Sequence, residues 1–467
     1  MSKGAAMTTK RSIRQKPAHP RSMPKDFRSF LALLEQKGEL ARVSKSVSSR
    51  FELAAVVSKL EGKQAILFEN IDKSQFKVAS NVIGTRTRFA LAVAMAEDDL
   101  THSRFLRLNG TTSEPKKMSG SAPYYENSIN DLSELPIVSH FEKDAGPYIT
   151  SSIVFAKDQE KGTQNSSTHR LLKVDDKNMV IRMVEGRHLH KCYSSATEHG
   201  EDLKVAICIG VHPAVSIAAA YQAAYGVDEM LIANSLLDGE LTVSKNPYSQ
   251  LYIPNCSEIV LEGRILKDKT EYEWMVEMLR TYDFKRKQPI FELDRIRFRN
   301  NAIFHDILPG FAEHRLLMGL PVEAKIFQAV KNVVPTTIAV HLTDGGSNWL
   351  DAVIQIRKRL EGEPKNALLA AFASHPSLKI ATVVDQDIDP RDARAVEYAI
   401  ATRCQADRDL IIVENTKGST LDPSSDQVNL LTTKMGIDAT ATLLKPKDRF
   451  EVATIPGEEK IKLSNYL

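Results

Sequence analysis

The chain has 467 residues, of which 42% are hydrophobic and 26% are charged, a composition typical of globular proteins. Because single hydrophobic cores stop growing well below this length, we expect two or three domains. The net charge of +3 is too small for a chain that binds nucleic acid over its whole surface. No apolar run is long enough to cross a membrane, and the four cysteines form no CxxC pair, so we expect a cytoplasmic protein with reduced thiols.

Residues 1–23 form the first distinct segment. The first 25 residues contain seven lysines and arginines and no acidic residue, and they lack the apolar run of a signal peptide. We therefore expect a disordered basic tail. An arm that binds nucleic acid or a membrane surface is the alternative.

Residues 24–130 are predicted to form an α/β domain. Apolar residues recur at helical spacing in "PKDFRSFLALLEQKG", and Gly38 stands where a helix would stop. The strand-like segments "ELARVSKSV", "QAILFENI" and "FKVASNVIG" then alternate with the helical segments "FELAAVVSKLEG" and "RTRFALAVAMAE".

Residues 131–305 have a different pattern, in which many short strands follow one another. Examples are "ITSSIVFAKD", "HRLLKVDD", "NMVIRMVEG", "LKVAICIGV", "EIVLEGRIL" and "PIFELDRIRFR", with one helical stretch, "AVSIAAAYQAA". Strands at such short spacing predict an antiparallel sheet or barrel.

Residues 306–467 return to alternating strands and helices, which predicts a second α/β domain. We expect strands over "TTIAVHLT", "LKIATVVDQD" and "DLIIVENT", and helices over "NWLDAVIQIRKRLEG" and "ARAVEYAIATRC". The loop "DGGSNW" is predicted to be a turn from strand to helix, because it lacks the spacing of a phosphate-binding loop.

Three polar residues of the central region are candidate metal ligands: Asn165, His188 and Glu229. An amide oxygen, an imidazole and a carboxylate form a fairly hard ligand set that suits Mn²⁺ or a similar ion. Since the three residues are far apart in sequence, their spacing does not distinguish a metal site from ordinary polar groups at strand ends.

Acidic residues cluster in "KTEYEWMVEMLRTYD", which contains Glu271, Glu273 and Glu277. A carboxyl group held between apolar neighbours has a raised pKa and can deliver a proton. The alternative interpretation is an amphipathic helix with a solvated acidic face.

Several motifs occur in one order along most of the chain and resemble signatures of the UbiD family of decarboxylases. They are "NVIGTRTRFA", "AGPYITSSIVFAKD" followed by "NSSTHR", "EIVLEGRI", "VVDQDID", "VENT" and "KMGIDAT". The resemblance implies a central split barrel that holds prenylated FMN. It also implies a divalent metal ion, usually Mn²⁺, and a potassium ion near the cofactor phosphate.

The resemblance also assigns roles to individual residues. Decarboxylation at an sp² carbon leaves a carbanion that needs an electron sink, which the modified flavin supplies. Arg170 is then expected to orient the carboxylate, and Glu277 to protonate the carbanion. The implied metal ligands are Asn165, His188 and Glu229. The implied cofactor-binding residues are Thr168, His169, Arg170, Arg182, Met183, Val184, Arg187, His188 and Lys434.

The chain departs from the family pattern in the acidic segment. The family shows Glu-Gly-Pro-aromatic-x-acid, and without a gap its first Glu falls on Tyr272 while the last acid falls on Glu277. After a shift of one residue, Glu271 or Glu273 takes the first place, and we include Glu273 among the predicted catalytic residues. A non-catalytic homologue that binds only flavin, metal or a partner is the alternative.

Within the family, the cluster "RHLH" and the segments "RTYDFKRKQPIFE" and "LPGFAEHRLLMGLP" are most similar to the archaeal anhydromevalonate phosphate decarboxylases. This implies decarboxylation of trans-anhydromevalonate 5-phosphate to isopentenyl phosphate, with Arg280 or Arg315 suited to the phosphate. An aromatic acid of the 4-hydroxybenzoate type is the alternative substrate. A flavin prenyltransferase is the implied cofactor supplier, and a homodimer or hexamer the implied assembly, with no nucleic-acid or membrane partner.

Overall fold

The computed structural model describes residues 23–100, 113–221 and 223–466. Apart from Met23, the predicted basic tail lies outside these residues. Among the residues that the structure describes, no helix is long and apolar enough to cross a membrane.

The strands of the described residues belong to four sheets. In chain order they are β1 (Leu40–Val43), β2 (Ala65–Phe68), β3 (Lys77–Ser80), β4 (Lys116–Lys117), β5 (Asn127–Ile129), β6 (Tyr148–Lys157), β7 (Gln164–Lys173), β8 (Asn178–Ile181), β9 (Leu203–Ile209), β10 (Thr242–Lys245), β11 (Tyr252–Pro254), β12 (Ile259–Glu273), β13 (Arg286–Phe298), β14 (Ile303–Asp306), β15 (Thr337–Leu342), β16 (Asp351–Ile356), β17 (Ile380–Asp385), β18 (Leu410–Lys417) and β19 (Leu431–Ala439).

The α-helices of the described residues are α1 (Phe27–Gln36), α2 (Glu52–Lys59), α3 (Arg86–Ala92), α4 (His188–Glu198), α5 (Pro213–Ala220), α6 (Glu229–Leu236), α7 (Ala312–Val333), α8 (Glu363–Ser374), α9 (Ala393–Arg403) and α10 (Ala406–Asp409). Short 3₁₀ helices span Glu97–Asp99, Pro123–Tyr125, Leu132–Glu134, Lys447–Phe450, Glu458–Lys460 and Leu463–Asn465.

The N-terminal part confirms the predicted α/β pattern. The first helix, α1, begins where the Asp26 side chain accepts the Ser29 N–H over 2.9 Å, a typical N-terminal cap. The strands form a four-stranded sheet in the order β1-β2-β3-β14. Because β14 lies next to β3, residues at the predicted end of the central domain complete the N-terminal sheet.

The central part is a closed barrel of six strands. Their order is β12-β9-β6-β7-β8-β13, and β13 pairs with β12 to close the ring, with every neighbouring pair antiparallel. At Gly263 on β12, an added Cβ would lie 2.2 Å from the Glu292 carbonyl on β13, so only glycine permits this close approach. The barrel confirms the predicted antiparallel architecture.

Helices and a small sheet pack around the barrel. The predicted helix in "AVSIAAAYQAA" is confirmed as α5. His188 was expected to end a strand, but it is the first residue of α4. The prediction that His188 ends a strand is wrong, because β8 already ends at Ile181 and Arg187 has the extended backbone of a helix N-cap.

The C-terminal part is a five-stranded sheet in the order β15-β16-β17-β19-β18. The predicted strands and the predicted helix over residues 393–404 are confirmed as β15, β17, β18 and α9. The predicted helix over "NWLDAVIQIRKRLEG" is wrong, because Asp351–Ile356 is strand β16, so "DGGSNW" joins two strands. A strand buried between two neighbours carries a nearly continuous apolar run, which periodicity does not distinguish from a buried helix.

Candidate active site

Arg170 on β7 lies at the centre of a buried cluster of carboxylates. Its Nε donates to Glu273 Oε2 over 2.9 Å and its Nη2 to Glu273 Oε1 over 2.8 Å, so the pair is bidentate. The Arg170 side chain is 10% exposed and that of Glu273 is fully buried. Tyr148 donates a further hydrogen bond of 3.2 Å to Glu273 Oε2. Because bidentate pairs fix geometry as well as charge, Glu273 sets the orientation of Arg170.

Two more carboxylates contact the same guanidinium. Glu277 Oε1 pairs with Nη1 of Arg170, and Asp283 Oδ2 accepts from Nη2 over 3.0 Å. The side chain of Glu277 is 21% exposed, whereas those of Glu273 and Asp283 are 0% and 5% exposed. Glu277 is therefore the carboxylate of this cluster that is most accessible to a substrate.

The charges in the cluster shift the pKa values of its members. Burial alone would lower the pKa of the Arg170 guanidinium, but Glu277 and Glu273 raise it above its ordinary value. Burial would raise the pKa of Asp283, but the hydrogen bond from Arg286 and the charge of Arg170 lower it. Arg170 thus remains a cation, which is the form that binds a carboxylate.

The connection from β12 to β13 brings the acids to Arg170. Glu273 is the last residue of β12 and pairs with Arg286, the first residue of β13, so residues 274–285 form the connection. Within it, the Asp283 N–H donates to the Met275 carbonyl over 2.9 Å. The alternative of an amphipathic helix is wrong here, because pairing with β13 holds the chain extended up to Glu273.

The structure distinguishes between the two glutamates that compete for the first acidic position. Glu271 is exposed, and its Oε1 accepts the neighbouring backbone N–H of Tyr272 over 2.8 Å. Tyr272 is 41% exposed. The residue that contacts Arg170 is Glu273, so the Glu–Arg–Glu arrangement is present although the family's usual spacing is not.

The three predicted metal ligands lie on neighbouring segments. His188 Nδ1 is 3.4 Å from Glu229 Oε1, and Glu229 Oε2 accepts the N–H of Ser166, the residue after Asn165, over 2.8 Å. Asn165 Oδ1 is buried and has no hydrogen-bond partner among the described residues. A buried amide oxygen without a partner, close to an imidazole and a carboxylate, fits a divalent metal ion.

The third predicted ligand is an amide. Over the described ranges, no three His, Cys, Asp or Glu side chains gather closely enough to hold a metal ion. With Asn165 as the third predicted ligand beside His188 and Glu229, a metal bound here would have a mixed N and O shell.

A chain of hydrogen bonds fixes the Asn165 amide. His169 Nδ1 lies 2.8 Å from the Arg182 carbonyl, which only accepts, so Nδ1 donates and Nε2 is left as an acceptor. Ser167 Oγ, 2.8 Å from that Nε2, donates to it and accepts from Asn165 Nδ2 over 3.1 Å. Burial lowers the pKa of His169 to about 4, which keeps the ring neutral. The Asn165 amide therefore uses its NH₂ group inside the protein and leaves its oxygen for a ligand.

Four more of the predicted cofactor residues lie on β7 or between β8 and α4. Thr168 is in β7, and Arg187 is the N-cap of α4. Met183 is buried and its N–H donates to Gln288 Oε1 over 2.8 Å, whereas the Val184 side chain is 50% exposed. Their roles in binding a cofactor stay predictions.

Lys434 lies in a different part of the fold. On β19, its ammonium donates to the carbonyls of Pro376, over 2.6 Å, and Leu378. Burial lowers its pKa to about 8. No contact of the described residues joins Lys434 to the Arg170 cluster, and its role at the cofactor stays a prediction.

Tyr148, Asp283 and Ser167 also belong to the site, although they were not among the residues predicted from the sequence. Ser167 lies between Asn165 and His169 on a strand, and alternate residues of a strand share one face, so this spacing was an available signal. Asp283 is the last residue of the acidic segment "KTEYEWMVEMLRTYD" and Tyr148 lies in the motif "AGPYITSSIVFAKD", so both were within reach of the sequence patterns although neither was assigned a role.

The chain matches three models of one protein family. The model described as the 3-octaprenyl-4-hydroxybenzoate carboxy-lyase Rift-related domain (UbiD) matches residues 116–312. Models of the N-terminal and C-terminal domains of the same carboxy-lyase match residues 31–105 and 315–439.

Similar proteins cover nearly the whole chain. An anhydromevalonate phosphate decarboxylase of Methanothermobacter thermautotrophicus is 41% identical over 412 residues, which cover 88% of this chain and 96% of the relative. The structure of the UbiD-class enzyme HmfF from Pelotomaculum thermopropionicum in complex with FMN has a TM-score of 0.91 and 40% identity, with 95% of this chain and 100% of that chain covered. An evolved dimeric form of HmfF in complex with prenylated FMN has a TM-score of 0.87 and 37% identity, with 95% and 100% covered.

Proposed function

Because the chain belongs to the UbiD family, it is a decarboxylase, and we propose that it removes CO₂ from an α,β-unsaturated carboxylic acid with prenylated FMN bound at its barrel. The proposed substrate is trans-anhydromevalonate 5-phosphate, which would yield isopentenyl phosphate in the mevalonate pathway. The observation that carries the proposal is the position of Arg170 between the buried Glu273 and the more accessible Glu277. The archaeal relative supports the choice of substrate.

We assign separate tasks to the three residues. Arg170 orients the substrate carboxylate, because it remains charged and presents a planar fork of donors. Glu273 holds this fork through two hydrogen bonds and is too buried to contact substrate itself. Glu277 delivers a proton to the carbon that loses CO₂, because it is the most accessible acid of the cluster.

The cofactor site would combine the barrel residues with a metal. The prenylated flavin supplies the electron sink that decarboxylation at an sp² carbon requires. Asn165, His188 and Glu229 would hold Mn²⁺ or a similar ion, because the unpartnered Asn165 oxygen fits such a ligand set. The residues proposed to bind the flavin are Thr168, His169, Arg170, Arg182, Met183, Val184, Arg187, His188 and, in the C-terminal sheet, Lys434. We also propose a potassium ion near the cofactor phosphate.

The proposal extends to partners and location. A flavin prenyltransferase would supply the cofactor, and the dimeric relative supports a homo-oligomer, either a dimer or a hexamer. We propose that the protein acts in the cytoplasm.

The test is turnover by protein co-produced with a flavin prenyltransferase. We expect bound modified flavin in the absorbance spectrum, and release of CO₂ and isopentenyl phosphate from trans-anhydromevalonate 5-phosphate. A panel of 4-hydroxybenzoate-type acids provides the comparison. Loaded enzyme that decarboxylates an aromatic acid and leaves the phosphorylated acid intact would replace the proposed substrate. Loaded enzyme that is inert towards both would favour a binding protein that lacks activity.

A further inference from the structure

A second cluster of charges lies beside the connection that carries Glu277. Arg280 Nη2 donates to Glu61 Oε2 over 2.7 Å, and Arg315 Nη2 donates to Glu61 Oε1 over 2.8 Å. Both arginines also point at the Gly310 carbonyl, at 3.0 Å from Arg280 Nε and 3.5 Å from Arg315 Nη1. Two guanidinium groups therefore share a single carboxylate, which leaves one positive charge in excess.

This arginine pair, Arg280 and Arg315, adjoins the proposed proton donor. The Arg280 N–H donates to the Glu277 carbonyl over 2.9 Å, so both residues belong to one tight turn. The half-buried imidazole of His314 lies near both clusters, and its Nδ1 accepts the Gly310 N–H over 3.1 Å. Burial lowers the pKa of His314, while the charge of Glu277 raises it and that of Arg315 lowers it, so both charges act on the same ring.

The backbone and an aromatic ring hold Arg280 in place. Its φ of +61° is unusual for a residue with a side chain, and such strain persists only where the surroundings impose it. The guanidinium lies 3.8 Å from the centre of the Phe311 ring. At Gly310, with φ of +74°, an added Cβ would lie 2.7 Å from the Arg280 side chain and 2.9 Å from the Glu277 carbonyl. Packing at Gly310 thus fixes Arg280 against the turn that carries Glu277.

Some N–H groups of Arg280 and Arg315 are not fully used in hydrogen bonds within the protein. The Arg280 side chain is 44% exposed and can be reached from solvent. Arg315 is 14% exposed, and its Nε is buried without a hydrogen-bond partner among the described residues. A buried donor without a partner is costly, and an anion that reaches it relieves that cost.

We propose that Arg280 and Arg315 bind the phosphate of a phosphorylated unsaturated acid, with Glu61 holding the two guanidinium groups at the right separation. The inference rests on the proposed function, because it places the acid group at Arg170 and Glu277 and the phosphate at the other end of a short carbon chain. A phosphate monoester carries a charge of about −1.5 to −2 at neutral pH, which matches the forked donors of arginine better than a single carboxylate does. Binding of this remote group would then contribute to catalysis at the carboxylate end.

The experiment compares two substrates on cofactor-loaded enzyme: trans-anhydromevalonate 5-phosphate and the same acid without its phosphate. Variants R280Q, R315Q and the double variant are measured beside R280K and R315K, which keep the charge and lose the fork. R42Q is the matched control, because Arg42 also bridges two carboxylates, Glu35 and Glu69, on an exposed part of the N-terminal domain. Circular dichroism melting checks that each variant folds.

We expect the ratio of kcat/KM for the phosphorylated acid to that for the unphosphorylated acid to fall by about 10- to 100-fold in each Gln variant, since charged hydrogen bonds contribute about 1.5–3 kcal/mol each. The Lys variants should recover part of this ratio, and R42Q should match the wild type. An equal loss with both acids would mean that the arginine pair only supports the Glu277 turn, which would overturn the inference.

A binding measurement separates this inference from the proposed function. If the wild type does not decarboxylate the phosphorylated acid, isopentenyl phosphate is titrated into the loaded enzyme by calorimetry. Binding that the double variant R280Q/R315Q loses would support the phosphate subsite while the proposed reaction fails. Binding that the double variant keeps, or no binding to the wild type, would overturn the subsite.

Discussion

Glu273 holds Arg170 through both of its carboxylate oxygens, at 2.8 and 2.9 Å, from a position that is fully buried. This pair connects the end of β12 to the middle of β7 and leaves one guanidinium edge to Glu277. A charge pair this deeply buried stabilises the fold only weakly compared with apolar packing, but it fixes orientation. Its value to a decarboxylase is therefore the fixed direction of the Arg170 donors.

We predict that E273Q lowers kcat by about 100-fold, because loss of one charged contact lets the Arg170 fork move from its aligned position. E271Q is the matched control, since Glu271 lies two residues earlier on the same strand and is exposed. Turnover of cofactor-loaded enzyme is the measurement, with flavin absorbance as the check on loading. Wild-type turnover in E273Q would show that Arg170 needs no orienting partner.

A different result is expected for E277Q. Removal of the proton donor should lower kcat by about 100- to 10,000-fold, because a positioned acid contributes that much to proton transfer. The flavin content should stay at the wild-type level, because Glu273 still holds Arg170 through two hydrogen bonds in this variant. E277D, which keeps the acid on a shorter side chain, should recover part of the rate. An E277Q enzyme with normal turnover would remove Glu277 from its proposed role.

The acidic segment shows how far the sequence alone could be interpreted. Its alignment with the family pattern placed the first acid on Tyr272, and the choice between Glu271 and Glu273 stayed open. Burial resolves the choice, because β12 continues to Glu273, whose buried side chain reaches Arg170, whereas the side chain of Glu271 is exposed. Strand pairing with β13, which sets this burial, joins residues that no local pattern connects.

The elements that were predicted correctly are mostly those that depend on the local spacing of apolar residues. The helix at residues 27–36 and the strands of the barrel follow from spacing of apolar residues, whereas the completion of the N-terminal sheet by β14 depends on a contact between distant segments. The position of His188 was also not predictable from local spacing, because this residue begins a helix only after β8 has ended. The chemical type of the site residues was therefore easier to predict from the sequence than their positions in the fold.

We predict that S167A weakens Mn²⁺ binding by about 10- to 100-fold, the usual effect of removing a partner that orients a metal ligand. Without the Ser167 hydroxyl, the Asn165 NH₂ group loses its acceptor and the amide is free to rotate. The measurement is calorimetric titration of Mn²⁺ into FMN-loaded protein after treatment with a chelator. The wild type should regain the metal in full.

S195A is the control for this titration. The Ser195 hydroxyl is also buried, but it has no hydrogen-bond partner among the described residues, so its loss should leave the Mn²⁺ affinity at the wild-type value. If S167A also binds Mn²⁺ like the wild type, the hydrogen-bond chain from Arg182 does not orient Asn165. If the wild type binds no Mn²⁺, the proposed ligand set is wrong.

The last prediction concerns stability at low pH. Glu323 on α7 accepts from both terminal nitrogens of Arg86 on α3, at 2.9 and 2.7 Å, and its side chain is 1% exposed. Burial alone would raise the pKa of Glu323, but the charge of Arg86 lowers it from its ordinary value of 4.5 to about 2. The folded state therefore binds this proton less readily than the unfolded state does.

The sign of the pH effect follows from that shift. The stabilisation by the Glu323 carboxylate is fully present above pH 4.5 and is lost as the pH falls towards 2. Breaking a buried pair costs about 3 kcal/mol or more, so E323Q should unfold at a lower temperature at neutral pH. As the pH falls through this window, the difference in Tm between E323Q and the wild type should shrink, because the wild type loses the same charge. Calorimetric melts between pH 7 and the lowest pH at which both proteins stay folded measure that difference.

E35Q, which removes an exposed partner of Arg42, should show little change at any pH. A constant difference between E323Q and the wild type would mean that the carboxylate charge does not stabilise the contact between α3 and α7.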